Sequence, residues 1–490
     1  MTEEKGVGLR GWLAGPSSKK TKAQPPHSLN NHRIAVLPLS NISPDPKDEY
    51  FADGISDELI STIAKIQGLH VIARTSSIKY KGSGKGVSEI GQELQTGSIV
   101  EGTVRKAGNK VRITAQLIDA KSEESLWSET YDRELGDVFH IQSDIARQVA
   151  EALQVRLLEA NKTRLERPST RNTEAYTLYL KGQFHSNRTT EEDFKLSIKY
   201  YEQAIAIDPN FALAYAGIAG SYVGLGFQGL IASNEAARKA RQYVEKSLTL
   251  DDTLAEAHRV LGVLLRVHTW DFNGALREFN RAIELNPSLA DAHGSKAILL
   301  LGQRQFDQAI IEVRIGLELD PLSGRTAGTA GTVYLYLGNY EDAIKQFNRA
   351  LKSDPNDALA RGNRGLTYIR QGKFDIGIQE MRKVANKENT QTQSDLAYGL
   401  AKAGRTNELR RLLDELLHDV EKNHELSFAV ATAYANLDDQ EHALNWLERA
   451  CAEHVSALAT ANANFVFDNV RQSARFQALM TKIGFTGSQQ

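Results

Sequence analysis

The sequence predicts an α+β/α chain: a small α/β unit followed by an all-α superhelical solenoid. Three observations predict it. Between residues 32 and 160, apolar and polar residues alternate along two adjacent runs, flanked by segments with helical faces. From Thr173 onward, small and aromatic residues recur in phase, and Pro287, Pro321 and Pro355 stand 34 residues apart each time. The 490 residues also exceed one ordinary core, at roughly 150 residues per domain, unless much of the chain is a repeat array.

Residues 1–31 are rich in Gly, Ser, Pro and Lys, with Pro25 and Pro26 near the end, and carry no helical or strand period. They read as a disordered, solvated leader with a small positive excess from Lys5, Arg10, Lys19, Lys20 and Lys22. The apolar core of a secretory signal is missing, so a cytoplasmic location is expected, with a periplasmic one left open.

The unit at 32–160 opens with a buried-strand run at Arg33–Leu39, ending about Pro38. A helix follows over Glu49–Gln67, because Phe51, Ile55, Leu59, Ile63 and Ile66 fall on one face. Leu69–Ala73 is a second strand and Val87–Leu94 a short helix. Val100, Gly102 and Val104 then alternate with Glu101, Thr103 and Arg105. Val111, Ile113, Ala115 and Leu117 do the same across the turn Ala107-Gly108-Asn109, which makes a hairpin with one buried face. Leu126–Arg133 supplies another strand. Asp137 is placed to cap a helix running to about 159, with Val138, Ile141, Ile145, Val149 and Ala152 inward. The expected order is β-α-β-α-β-β-β-α, followed by a linker at 161–172.

The array occupies 173–452 and counts about seven units, with 453–490 as a capping segment and tail. Its clearest unit is Gly324–Pro355, where Gly331, Tyr334, Gly338, Tyr340, Ala343, Phe347 and Ala350 take the slots of a 34-residue helix-turn-helix repeat. Small residues on the first helix face small residues on the second, and aromatics fill the space between hairpins. Proline stops the second helix, because it lacks an N–H and disfavours helix at the residue before it. One hairpin cannot bury its apolar face alone, so stacked neighbours build a continuous core. The spacing before Asp252 is longer and places an insertion near Gly226–Asn234. Phe211–Ala232 is uncharged and long enough to cross a bilayer, yet its glycines and its phase with the repeat make it a repeat helix.

Composition excludes several classes. Lys and Arg number 59 against 61 Asp and Glu, which disfavours a general nucleic-acid or anionic-membrane binder. Cys451 is the single cysteine, so neither an internal disulfide nor a cysteine-based zinc site can form. Lys79–Gly86 (KYKGSGKG) fails as a phosphate loop, with Lys79 where the first Gly belongs and Gly86 where Ser or Thr belongs. Asp45, Asp48, Glu49, Asp53, Asp57 and Glu58 are acidic residues before and within the first turns of a helix. Capping and dipole compensation are expected of them rather than metal binding. His258, His268 and His293 lie on or beside repeat helices, and His424-Glu425 lacks the second His of a zinc-protease helix. No catalytic residue, metal or cofactor is expected.

The repeat is similar to the tetratricopeptide (TPR) family over about 280 residues. The unit before it resembles the TolB-like amino-terminal domain, related to FlgO-type domains. The match runs through residues 34–60, 69–82, 99–120 and 126–146, and residues 462–485 are similar to the tail of such chains. In that family the domain commonly precedes TPRs and often follows a nucleotide cyclase, a kinase or a winged-helix domain, as in CadC-like regulators. Thirty-one residues cannot hold such an effector. The resemblance therefore implies a non-enzymatic adaptor or scaffold, with a regulatory subunit acting in trans on a cyclase, kinase or transcription regulator as the alternative.

The concave face of the array is the expected site, lined by Arg259, Arg266, Arg325, Thr329, Tyr336, Asn363 and Arg370. Arginine forks and amides suit carboxylates and peptide backbones, and tyrosine supplies contact area at low entropy cost. The expected partner is a protein or peptide, not nucleic acid, with no membrane span and with self-association left open.

Overall fold

The computed structural model describes residues 32–155, 169–188, 190–228, 230–385 and 390–485. The expected leader at 1–31 lies outside the described residues, as do most of the linker at 161–172 and the last turn expected of the helix ending near 159.

The amino-terminal unit contains the expected elements in their expected order, and adds a two-residue strand at Ser40–Asn41 and a one-turn helix at Arg74–Ser77. Strands β1 (Arg33–Val36), β2 (Ser40–Asn41), β3 (His70–Val71), β4 (Ser98–Ala107), β5 (Lys110–Asp119) and β6 (Ser125–Glu134) form one sheet. Its order is β3-β1-β4-β5-β6, with β2 also beside β4. The β3, β1 and β4 pairings are parallel, and β4-β5-β6 is an antiparallel meander. The first strand breaks near Pro38, which has no N–H for the ladder, and the chain rejoins β4 at Thr103 and Val104. Gly108 takes the positive φ of +59° that the two-residue turn between β4 and β5 needs. At Gly102 a Cβ would stand 1.9 Å from the Thr114 carbonyl oxygen, so only glycine lets these strands meet.

Helices α1 (Glu49–Ile63) and α3 (Val138–Ala152) cover one sheet face, and α2 (Val87–Leu94) packs by the parallel end on the other. The first helix ends at Ile63, short of the expected Gln67. Asp137 stands at the N-cap of α3 but makes no side-chain cap bond. A 3-10 turn at Leu135–Asp137 enters the helix there, and at φ −94° and ψ 3° Asp137 lacks the extended backbone that lets a capping side chain reach back.

Eight antiparallel helix pairs follow among the described residues, one more than the count of seven. They are α4 (Thr173–Ser186) with α5 (Glu191–Ile207), α6 (Ala212–Phe227) with α7 (Ser233–Leu250), and α8 (Ala255–Leu264) with α9 (Phe272–Leu285). Next come α10 (Ala290–Gly302) with α11 (Phe306–Leu319), α12 (Gly324–Tyr336) with α13 (Tyr340–Ser353), and α14 (Ala358–Arg370) with α15 (Phe374–Arg382). The last are α16 (Thr390–Lys402) with α17 (Thr406–Asp419) and α18 (Ser427–Asn436) with α19 (Gln440–Ala452); α20 (Ala474–Ile483) closes the described chain. The uncharged stretch from Phe211 forms α6 of the second pair, and among the described residues no helix is long and apolar enough to cross a membrane.

Small-to-large contacts set the hairpin spacing. A Cβ on Gly331 would stand 2.6 Å from the Phe347 ring, and one on Gly262 2.6 Å from Phe279, and both rings are fully buried. Between these equivalent pairs the third hairpin is one residue longer. The extra residue is absorbed as a π turn at Leu265–Thr269, which ends at Trp270 in the left-handed region with φ +52°.

The sheet unit and the array share an apolar core. Phe51, Ile55 and Val149 belong to the same buried cluster as Tyr176, Tyr201 and Phe211 of the first two hairpins. A Cβ on Gly54 would collide with Leu180, so α1 lies close against α4. The sheet edge also docks further along, where Ala73 N–H donates to the Leu319 carbonyl (2.8 Å) and Val71 N–H to the Ser288 hydroxyl (3.0 Å). Buried Asp320 accepts from Ser76 (2.6 Å) and from Thr75.

Candidate functional site

The acidic residues around α1 are tied to the protein one by one. Asp45 accepts from the Lys47 N–H (2.9 Å) and is the capping residue among them; Asp48 pairs with Lys106 (2.9 Å) and caps nothing with its side chain. Lys81 bridges Glu49 and Asp53. Asp57 pairs with Arg74 and accepts from the Asn187 amide (2.9 Å), and Glu58 accepts from the Tyr179 hydroxyl (3.1 Å). Burial raises the Glu58 carboxyl above its ordinary range. These carboxylates fasten α1 and its approach to α4, to β4 and to the segment 74–81 after β3. Among the described residues no group of three or more His, Cys, Asp or Glu converges as a metal site.

The lysines of KYKGSGKG are likewise engaged. Lys79 donates to the Leu322 carbonyl, Lys81 joins the pairs above, and Lys85 reaches Glu89 (3.1 Å) and Glu93. Gly82 and Gly84 supply positive φ for the turn. His258 and His293 are equivalent residues of successive hairpins. Each places Nδ1 2.6 Å from a carboxylate on the second helix, Glu278 and Glu312, and Nε2 near a carbonyl of the preceding loop. They pin first helices to second helices.

The expected groove residues fall into two groups along the first helices of the hairpins. Arg259 and Arg325 sit near the helix starts. Arg259 pairs with Glu256 (2.8 Å) and Arg325 with Asp291 of the preceding hairpin, and the Arg325 side chain is still 70% exposed. Thr329 is partly buried near Gly294, and Asn363 is buried, its amide donating to the Thr332 hydroxyl (3.1 Å). A row of charges thus crosses α8, α10 and α12 in the order Glu256/Arg259, Asp291, Arg325.

Arg266, Tyr336 and Arg370 lie at the other end, where the chain's own carboxyl-terminal stretch crosses the ends of the first helices. The His454 ring stacks on Trp270 at 4.7 Å, Ala459 lies against Gly302, and Asn469 donates to the Ala435 carbonyl. The Phe465 ring sits 5.1 Å from Tyr336 and 5.4 Å from Tyr398, and its centre is 4.5 Å from the Arg370 guanidinium carbon. Arg370 donates to the Tyr398 hydroxyl (3.1 Å) and the Tyr340 hydroxyl (3.3 Å). Tyr336 and Arg370 therefore hold an internal ligand rather than an open surface. Burial raises the Tyr336 phenol and keeps it neutral.

Phe465, His454 and Trp270 were not among the residues singled out from sequence. The usable signal was the aromatic run Phe465-Val466-Phe467 after the last repeat, which has apolar residues to bury and no second helix to bury them. Asp395 was also missed. It is a carboxyl 1% exposed on α16, with the Gln391 amide donating to it (3.0 Å), and burial pushes it up to about 7.

Models of this repeat match the chain in three places. A TPR repeat model matches residues 331–372, and tetratricopeptide repeat models match 363–461 and 175–211. Residues 175–211 and 331–461 of the array thus match tetratricopeptide repeats. TPRs typically mediate protein–protein interaction. Among curated proteins, the chain is 38% identical over 202 residues to "Putative adenylate cyclase 3" of Rhizobium meliloti (strain 1021), covering 40% of this chain and 34% of that one. It is 22% identical over 263 residues to the transcriptional regulator HilA of Salmonella typhimurium, covering 53% and 46%. The chain thus spans a third to a half of these relatives' lengths. Among solved structures, TTC0263, a thermophilic TPR protein in Thermus thermophilus, is 16% identical over 40% of this chain and 99% of its own, with a TM-score of 0.33. YrrB, a TPR protein with an unusual peptide-binding site, is 24% identical over 37% and 88%, with a TM-score of 0.25.

Proposed function

We propose that this protein is a non-enzymatic adaptor that holds a segment of a partner protein along the first helices of its TPR hairpins, in signalling or assembly. The observation that carries the reading is the charged row Glu256/Arg259, Asp291 and Arg325 on three successive first helices, with Arg325 largely exposed. Such a row offers forked donors and carboxylates at regular spacing, which suits an extended chain. Tyr336 and Arg370 are engaged by Phe465, so the open part of the groove lies toward the helix starts. The sheet unit, which resembles TolB-like domains, adds a second contact surface.

The test uses the full chain as bait against native lysate, with the parent compared with the Arg259→Glu/Arg325→Glu double variant. A stoichiometric partner lost on charge reversal, with the melting temperature unchanged, supports the reading. The same partner retained by the variant refutes it.

A second reading is motivated by the 38% identical stretch shared with the cyclase-named relative. Here the chain regulates a separate nucleotide cyclase, kinase or transcription regulator in trans. A co-purifying protein whose activity changes on adding the purified chain distinguishes this from plain scaffolding.

A further inference from the structure

The third hairpin carries an arginine where its neighbours carry buried aliphatic residues. Counted from the first-helix glycine that meets the aromatic of the second helix, Arg266 occupies the slot of Leu335 in the fifth hairpin. Leu301 and Ile369 fill it in the fourth and sixth. Leu301, Leu335 and Ile369 are 2%, 1% and 3% exposed.

Arg266 is partly buried, and its Nε is enclosed with no hydrogen-bond partner. No hydrogen bond or ion pair to this side chain occurs among the described residues. The other titratable group on the turn, His268, is held below its ordinary range by burial and by the Arg266 charge. Four residues on, the enclosed Trp270 indole Nε1–H is also without an acceptor, while its ring is fixed against His454.

Both groups are donors only. A buried donor without an acceptor costs about 1–3 kcal/mol, and more when charged. Arg259 and Arg325 differ in this respect, since each has a carboxylate of its own. The feature also coincides with the single extra residue that creates the π turn, an irregularity common at functional sites. Burial without a counter-charge pulls the Arg266 pKa down to about 10, so the guanidinium remains charged at neutral pH.

We propose that Arg266 is the anchoring point for one carboxylate side chain of an acidic partner segment. The proposal rests on the reading that a partner segment lies along the first helices, names that segment's chemistry, and carries its path from the helix starts to the end of α8, beside the residues 456–460 that approach the Leu265–Thr269 turn. A single unpaired guanidinium matches a monoanionic carboxylate through its planar fork. The energetic signature is distinctive. An unpaired buried charge weakens the free protein, so replacing it by an apolar residue of similar length strengthens the fold while removing the ligand.

The experiment compares the full chain with Arg266→Met in two readouts. The first is the melting temperature without ligand. The second is a titration with oligoglutamate followed by tryptophan fluorescence, with oligoglutamine as neutral control. The expected result is a higher melting temperature for Arg266→Met and at least a tenfold loss of oligoglutamate affinity, with oligoglutamine inert to both proteins. A lower or unchanged melting temperature overturns the proposal, because Arg266 is then satisfied in the free chain. Oligoglutamate affinity that is absent from the parent, or retained by Arg266→Met, overturns the ligand assignment. Partner capture by the same preparations keeps the two readings apart. Capture lost in the Arg259/Arg325 variant but kept in Arg266→Met leaves the groove reading standing and removes this one.

Discussion

Phe465 covers the guanidinium of Arg370, with 4.5 Å between its ring centre and the guanidinium carbon. The two residues are 95 positions apart in sequence. Their contact shows the carboxyl-terminal stretch working as a strap across the ends of the first helices, tied further by Asn462 to Gly302 and by His454 to Trp270. The cation–π contact contributes on the order of 0.5–1 kcal/mol at a partly exposed site. Packing against Tyr336 and Tyr398 adds to it.

Phe465→Ala is expected to lower stability by about 2 kcal/mol, less than the roughly 3–5 kcal/mol of a fully buried Phe because the ring is only partly buried. Urea denaturation of the full chain measures it. Hydrogen exchange in the same variant should rise at residues 454–470 while α1 keeps its protection. Exchange unchanged in the strap would mean that Phe465 is not its anchor.

Asp395 gives the protein a pH signature. Its folded-state pKa of about 7 lies above the unfolded carboxylate value of about 3.9, because burial penalises the charged form. The folded chain therefore holds a proton between those values that the unfolded chain has released. This contribution favours folding at low pH and is lost as pH rises from about 4 to about 7. Asp395→Asn should flatten that part of the profile and be the more stable protein at pH 8, by a few kcal/mol. A parent-minus-variant difference that stays constant from pH 4 to 8 would rule this out.

Asp320 joins the sheet unit to the array through Ser76 and Thr75. Asp320→Ala leaves both hydroxyls without their acceptor, at a cost of roughly 2–3 kcal/mol. Faster exchange at residues 70–80 than in α4 is the expected sign of local undocking. Uniform acceleration across both would show that the sheet unit and array open as one body.

Gly102→Ala should be among the most damaging single changes, because its Cβ would enter the space of the Thr114 carbonyl, which is backbone and cannot swing away. The expected loss exceeds about 3 kcal/mol, beyond the usual range for a point substitution. Normal expression and melting would contradict the β4–β5 register that sets Gly102 opposite Ala115.

The architecture was legible in the sequence where the signal is local. Alternation around Val100–Val104 and Val111–Leu117 depends on the two-residue period of a strand, and the same pairs meet in register. Gly331 and Phe347 announce a hairpin because a small residue and a ring must face each other at one spacing.

The sequence by itself determined the elements, their order and the repeat, because those follow from periods of two, of 3.6 and of 34 residues carried within short windows. Only the tertiary structure decided which groove residues are open. Arg325 and Arg370 are chemically alike in sequence. One faces solvent beside Asp291 and the other lies under Phe465, because a strap that follows the last repeat closes over one end of the first helices. The shared core of Phe51, Tyr176 and Phe211 is of the same kind. Contacts between segments far apart in the chain leave no period in the sequence, since their geometry is set by how the whole solenoid curves.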